Sequence, residues 1–137
     1  MATDRNGSPG RVEVLLDANA LMAQVQFRLD IFEALRNLIG AYVPLILPEV
    51  LKELRGISQS HGKEGSAARA ALVLADRCTR VESDIAEGTV DEKILYYANT
   101  HGCIVVTNDR NLRSALLGQG ITVISLSGRQ KLEIFRN

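Results

Sequence analysis

The first patterned segment, VEVLLD from Val12 to Asp17, is a short apolar run that ends in an acid and reads as a buried strand. A loop follows it. Leu29 to Ile39 then carries Phe32, Leu35 and Ile39 at helical spacing, with Gly40 as the stop. VPLIL, Val43 to Leu47, is the second strand candidate, and Pro48 sits where the first turn of a helix tolerates it. The helix that Pro48 opens turns Val50, Leu54 and Ile57 inward. SQSHGKEGS reads as a polar loop, and the Ala-rich stretch Ser66 to Cys78 as a helix. Thr89-Val90-Asp91-Glu92 matches a capping box and starts another helix, with Ile94, Leu95 and Ala98 as its apolar stripe and Gly102 as its end. Cys103 to Thr107 is a strand, Asp109 to Leu117 a helix, and Ile121 to Leu126 the last strand, followed by a basic tail.

Strands that are apolar on both faces and alternate with helices belong to a parallel sheet covered on both sides. The expected class is α/β, a three-layer α/β/α sandwich around a central parallel sheet of about four to five strands. Residues 11–137 are expected to form one domain behind a short, polar, disordered lead at residues 1–10.

Composition narrows the picture. The 137 residues are 46% hydrophobic, enough for a core without disulfides or a structural metal, and with only 4% aromatic residues and no Trp that core is expected to be built from Leu, Val, Ile and Ala. Cys78 and Cys103 have no CxxC pairing and read as buried small side chains in a reducing, cytoplasmic setting. No run is long and apolar enough for a membrane span, and the lead has no apolar stretch for a signal peptide. The formal net charge is zero, which counts against a module that grips nucleic acid by bulk charge alone. The charge is uneven, however. Glu82, Asp84, Glu87, Asp91 and Glu92 follow one another with no base between them, whereas Arg110, Arg113, Arg129, Lys131 and Arg136 face only Glu133.

Ligands of open parallel sheets bind outside the carboxyl ends of the strands. Asp17 closes one strand there, and Asp109 follows another after one residue. Asp109 reads equally well as a helix N-cap. Asp17 on so apolar a strand would be partly buried and would need a cation or hydrogen-bond donors. Glu53 shares a row with Val50 and Ile57, and Asp91 shares one with Ile94 and Leu95, so both lean inward. Each of these two alone reads better as a satisfied structural acid. Glu49 has a sufficient role at a helix start, and Glu92 in the capping box. Four carboxylates brought close would resist ionisation unless cations joined them, and hard divalent ions suit such a set and suit phosphodiester hydrolysis.

VLLDAN at 14–19, LPEVLKEL at 47–54, VDEKILYYA at 90–98 and VVTNDRNL at 105–112, in this order and on alternating strands and helices, make the chain resemble the PIN-domain nucleases over nearly all of its length after residue 11. The resemblance implies a PIN-like fold and a Mg²⁺- or Mn²⁺-dependent endoribonuclease that leaves 5′-phosphate and 3′-hydroxyl ends. Asp17, Glu53, Asp91 and Asp109 fall on the family's four acidic positions, as catalytic and metal-holding residues. Asn19, Thr107 and Asn108 fall where the family places polar residues that orient ligands or water. Arg113 is a candidate phosphate contact, or else part of a solvated helix face. The implied partner is RNA. Two family roles compete: ribosomal-RNA processing with a ribosome-assembly partner, favoured by MAQVQFRLDIFEAL and ITVISLSGRQKLEI, and a VapC-type toxin silenced by an antitoxin. Resemblance also implies a homodimer, for which apolar positions near Leu21, Met22 and Phe27 are candidates.

Other chemistries fit less well. No GxxxxGK[ST] or GxGxxG loop is present. A haloacid-dehalogenase-like phosphatase would want an Asp where Asn19 stands, and a receiver domain would want an acid pair at the end of the first strand. His61, His101, Tyr96 and Tyr97 carry no clear chemical signal. A non-catalytic binding module with a structural cation is the rival outside the enzymes.

Overall fold

Four apolar runs become four parallel strands: β1 (Val12–Leu16), β2 (Tyr42–Ile46), β4 (Ile104–Val106) and β5 (Val123–Ser127). Val14, Leu15 and Leu16 are fully buried, as expected for a strand covered on both faces. The computed structural model describes residues 11–128 and 130–137, so the expected disordered lead at residues 1–10 lies outside the described residues.

Two further strands take the sheet to six rather than the expected four to five. β3 (Thr79–Arg80) pairs parallel to β2, and β6 (Lys131–Phe135) pairs antiparallel to β5. The order is β3-β2-β1-β4-β5-β6. β3 is too short to show a period. β6 lies in the segment read as a basic tail, where Leu132 is buried between exposed Lys131 and Glu133. That is the charged alternation of an edge strand.

The helices are α1 (Ala18–Phe27), α2 (Ile31–Ile39), α3 (Pro48–Ile57), α4 (Gly62–Ala75), α5 (Val90–His101) and α6 (Arg110–Gly118). α1 replaces the loop expected after the first strand. It buries Ala18 and the consecutive residues Ala20 to Ala23, so no single apolar stripe marks it as a helix. This overturns Leu21 and Met22 as surface candidates for a dimer: both are core residues, and Phe27 is half-buried. α4 begins inside the segment read as a polar loop and ends before Cys78. The capping box of α5 forms as predicted: Thr89 Oγ1 accepts from the Glu92 N–H at 3.1 Å, and Glu92 Oε1 accepts from the Thr89 N–H at 2.9 Å.

α1 packs on α2, α3 and α4, and α5 packs on α6. These are the two outer layers that right-handed crossovers produce when the strand order reverses at β1. No helix among the described residues is long and apolar enough to cross a membrane. The reversal leaves β1 flanked by β2 on one side and β4 on the other, and opens a crevice beyond their carboxyl ends.

Candidate active site

Asp17 leaves β1 at this crevice, and its N–H donates to the Val106 carbonyl of β4 at 3.0 Å. Its side chain is 5% exposed and well supplied with donors. Oδ1 accepts from the Ala18 N–H at 2.8 Å, capping α1, while Oδ2 accepts from Thr107 Oγ1 at 2.7 Å and Asn19 Nδ2 at 3.2 Å. Burial nevertheless pushes its carboxyl above the usual aspartate range. The hydrogen bonds from Thr107 and Ala18 pull it down, and the charges of Asp91 and Asp109 add to the rise.

The turn after β4 is braced from the same side. Thr107 is fully buried, and its Oγ1 also accepts from the Asp109 N–H at 3.2 Å. Asn19 Oδ1 accepts from the Asn108 N–H at 2.9 Å, and Asn108 Oδ1 accepts from the Leu126 N–H at 2.8 Å. Asp109 is the N-cap of α6, with Oδ1 accepting from the Leu112 N–H at 3.0 Å. The structural role foreseen for Asp109 is therefore present, and the residue lines the cleft as well.

A cleft of about 360 Å³ is lined by Asp17, Glu53, Asp91 and Asp109 together. Glu53 reaches it from α3 and Asp91 from the first turn of α5, and both are exposed residues turned to the cleft rather than to the core. Partial shielding from solvent within the cleft, then the charges of Asp17 and Asp91, raise the Glu53 carboxyl; the same shielding and the charge of Asp109 raise that of Asp91. Asn19 lines the cleft directly, while Thr107 and Asn108 stand behind it as supports. Arg113 is not among the lining residues. Its guanidinium lies 4.4 Å over the ring of Phe135, which pairs with Val123 at the amino end of β5, away from the carboxyl edge.

Sequence reasoning missed three contributors. Gln26 and Glu64 also line the cleft, from the helix read as a loop and from the early start of α4. Lys93 is buried on the α5 face that carries Ile94 and Tyr97, and pairs with Glu49 at 3.2 Å. A lysine inside an apolar row was the available signal.

No Lys or Arg among the described residues lines this cleft, so its acids meet no counter-charge there. Carboxylates that raise one another in this way are relieved by a hard divalent cation. Among the described residues no three His, Cys, Asp or Glu side chains already form a cage for an ion. Mg²⁺ does not require one, since it keeps several waters and binds through one or two carboxylates. The donor set therefore fits such an ion.

The profile of the PIN-like domain family matches residues 14–131. Ribonuclease VapC9 of Archaeoglobus fulgidus is 36% identical over 110 residues, covering 80% of this chain and 78% of that protein. The structure of the PIN domain endonuclease Utp24 superposes with a TM-score of 0.77 at 28% identity, covering 91% of this chain and 92% of that one. VapBC2 from Rickettsia felis, solved bound to a DNA fragment from their promoter, gives a TM-score of 0.62 at 18% identity. It covers 85% of this chain and 100% of that one, and shares the fold.

Proposed function

Because this chain belongs to the PIN-like domain family, with residues 14–131 matching its profile, we propose that it is a divalent-metal-dependent endoribonuclease. The products are RNA ends carrying 5′-phosphate and 3′-hydroxyl groups. One observation carries the proposal: four acids from four separate elements line a single cleft at the strand-order reversal, with no Lys or Arg among the described residues that line it.

In this reading Asp17, Glu53, Asp91 and Asp109 hold one or two Mg²⁺ or Mn²⁺ ions. A bound divalent ion supplies an acidified water and neutralises charge on the phosphate. Thr107 and Asn19 fix the Asp17 carboxylate, so that its oxygens are aimed before substrate arrives. Asn108 and the cap of Asp109 hold the facing turn. Met22, Ile57 and Val90 add apolar side chains to the cleft lining beside the four acids. Arg113 has no part in this scheme, because its charge is engaged on Phe135. A reducing cytoplasm suits the same reading: Cys78 and Cys103 are buried free thiols, each pushed up to about 12 by burial.

For the RNA, ribosomal-RNA processing follows from the segment resemblance described above. The second reading, a toxin held by an antitoxin, is favoured by the 36% identity with ribonuclease VapC9. Cleavage of labelled pre-rRNA fragments, tRNA and single-stranded RNA in Mn²⁺, Mg²⁺ or EDTA tests both. The expected result is cutting in either metal that falls to the EDTA background in Asp17→Asn, with pre-rRNA as the preferred substrate. Preference for tRNA would move the assignment to the toxin reading. Folded protein that binds RNA and cuts none in any metal would replace the nuclease with a non-catalytic binding module.

A further inference from the structure

Lys93 is 9% exposed, and its ammonium lies 3.2 Å from Glu49 Oε2, across 44 residues of sequence. Ser83 Oγ lies 3.0 Å from the same oxygen and 3.2 Å from the Ile85 carbonyl, so the loop before α5 joins the contact. Glu49 Oε1 is buried with no hydrogen-bond partner among the described residues. Lys93 and Ser83 therefore carry the compensation for the partial burial of this carboxylate.

The pair sits in a telling place. Glu49 lies in the first turn of α3, one turn before Glu53, and Lys93 lies two residues after Asp91 on α5. α3 and α5 belong to different helical layers and make little direct contact. We propose that the half-buried Glu49–Lys93 pair, with Ser83, is a strut between α3 and α5 that sets the spacing of Glu53 and Asp91 across the cleft. Both residues are positioning residues that leave the cation untouched. The proposal rests on the metal reading of the cleft given above.

The sign of one substitution separates positioning from charge. Lys93 is a positive charge near an acidic cleft, so by charge alone its removal tightens binding of a cation. If the lysine holds two wall acids in register, its removal loosens binding. Supporting groups of metal sites typically change affinity by about tenfold to a hundredfold.

The experiment is calorimetric titration of Mn²⁺ into chelator-treated wild type and Lys93→Met, with circular dichroism confirming the fold. A folded Lys93→Met that binds Mn²⁺ at least about tenfold more weakly is the expected result. Equal or tighter binding overturns the strut. Should Lys93→Met fail to fold, the charge-neutral double variant Glu49→Gln/Lys93→Met decides: weaker Mn²⁺ binding supports the strut, and wild-type affinity overturns it. A wild type that takes up no Mn²⁺ overturns the metal reading first and the strut with it. Normal wild-type binding with an unaffected variant removes the strut alone.

Discussion

Thr107 joins two of the four cleft acids through one hydroxyl, donating to Asp17 Oδ2 and accepting from the Asp109 N–H. Its own carbonyl accepts from Ser125 Oγ, which anchors it to β5. Thr107→Val keeps the shape and removes that hydroxyl. The buried Asp17 carboxylate then loses its shortest hydrogen bond, and the Asp109 N–H loses its acceptor. The expected cost is about 1–3 kcal/mol in urea unfolding of the metal-free protein. A midpoint at or above that of wild type would mean the hydroxyl does not hold the two acids. At this scale the sequence was legible where residue type and element end coincide: Asp17 closing a strand and Asp109 opening a helix stand where they were expected. It was less legible at Arg113, because the ring that takes its charge lies 22 residues on, in a strand not foreseen.

The elements that announced themselves carry local signals. Thr89 and Glu92 bond reciprocally within one turn, and Pro48 and Gly102 punctuate α3 and α5. α1 and β6 did not, since one buries consecutive residues in its first half rather than a stripe and the other is a short, charged edge. α4 shows what such elements need from their neighbours. A Cβ added at Gly65 would lie 1.9 Å from the Ser60 carbonyl oxygen, so the start of α4 sits directly against the turn leaving α3. Gly65→Ala must move backbone, and is expected to lower stability by about 1–3 kcal/mol. Gly56→Ala, in α3 with open space around its Cβ, is expected to raise it by about 0.4–1 kcal/mol. Thermal melts of the two variants check both signs, and a stabilising Gly65→Ala would show that the turn yields freely.

Over the whole molecule, zero formal charge hides a cleft of uncompensated acids. The Asp91 carboxyl is raised from its ordinary 3.8, by partial shielding from solvent and then by Asp109. The folded protein thus holds that proton more tightly than the unfolded chain. The stability this gives is present below the ordinary value and is lost as pH climbs through the raised one. In EDTA, Asp91→Asn is therefore expected to match wild type near pH 3 and to gain a lead in melting temperature as pH rises from about 4 to 7. Saturating Mn²⁺ is expected to shrink or reverse that lead, because a cation that binds only the folded state stabilises the wild type more. A lead that stays constant across this range would place the effect outside the ionisation of Asp91. Alternation of apolar runs and helices carried the α/β class, the succession of the principal strands along the chain and the acids at two strand ends, since each rests on neighbours within a few residues. The strand reversal at β1 and the pairing of Lys93 with Glu49 were settled by tertiary structure alone, whereas the shared cleft of Glu53 and Asp91 was implied beforehand only by the family resemblance. Local periodicity states which face of an element is apolar, whereas which faces meet depends on sheet order and long-range burial.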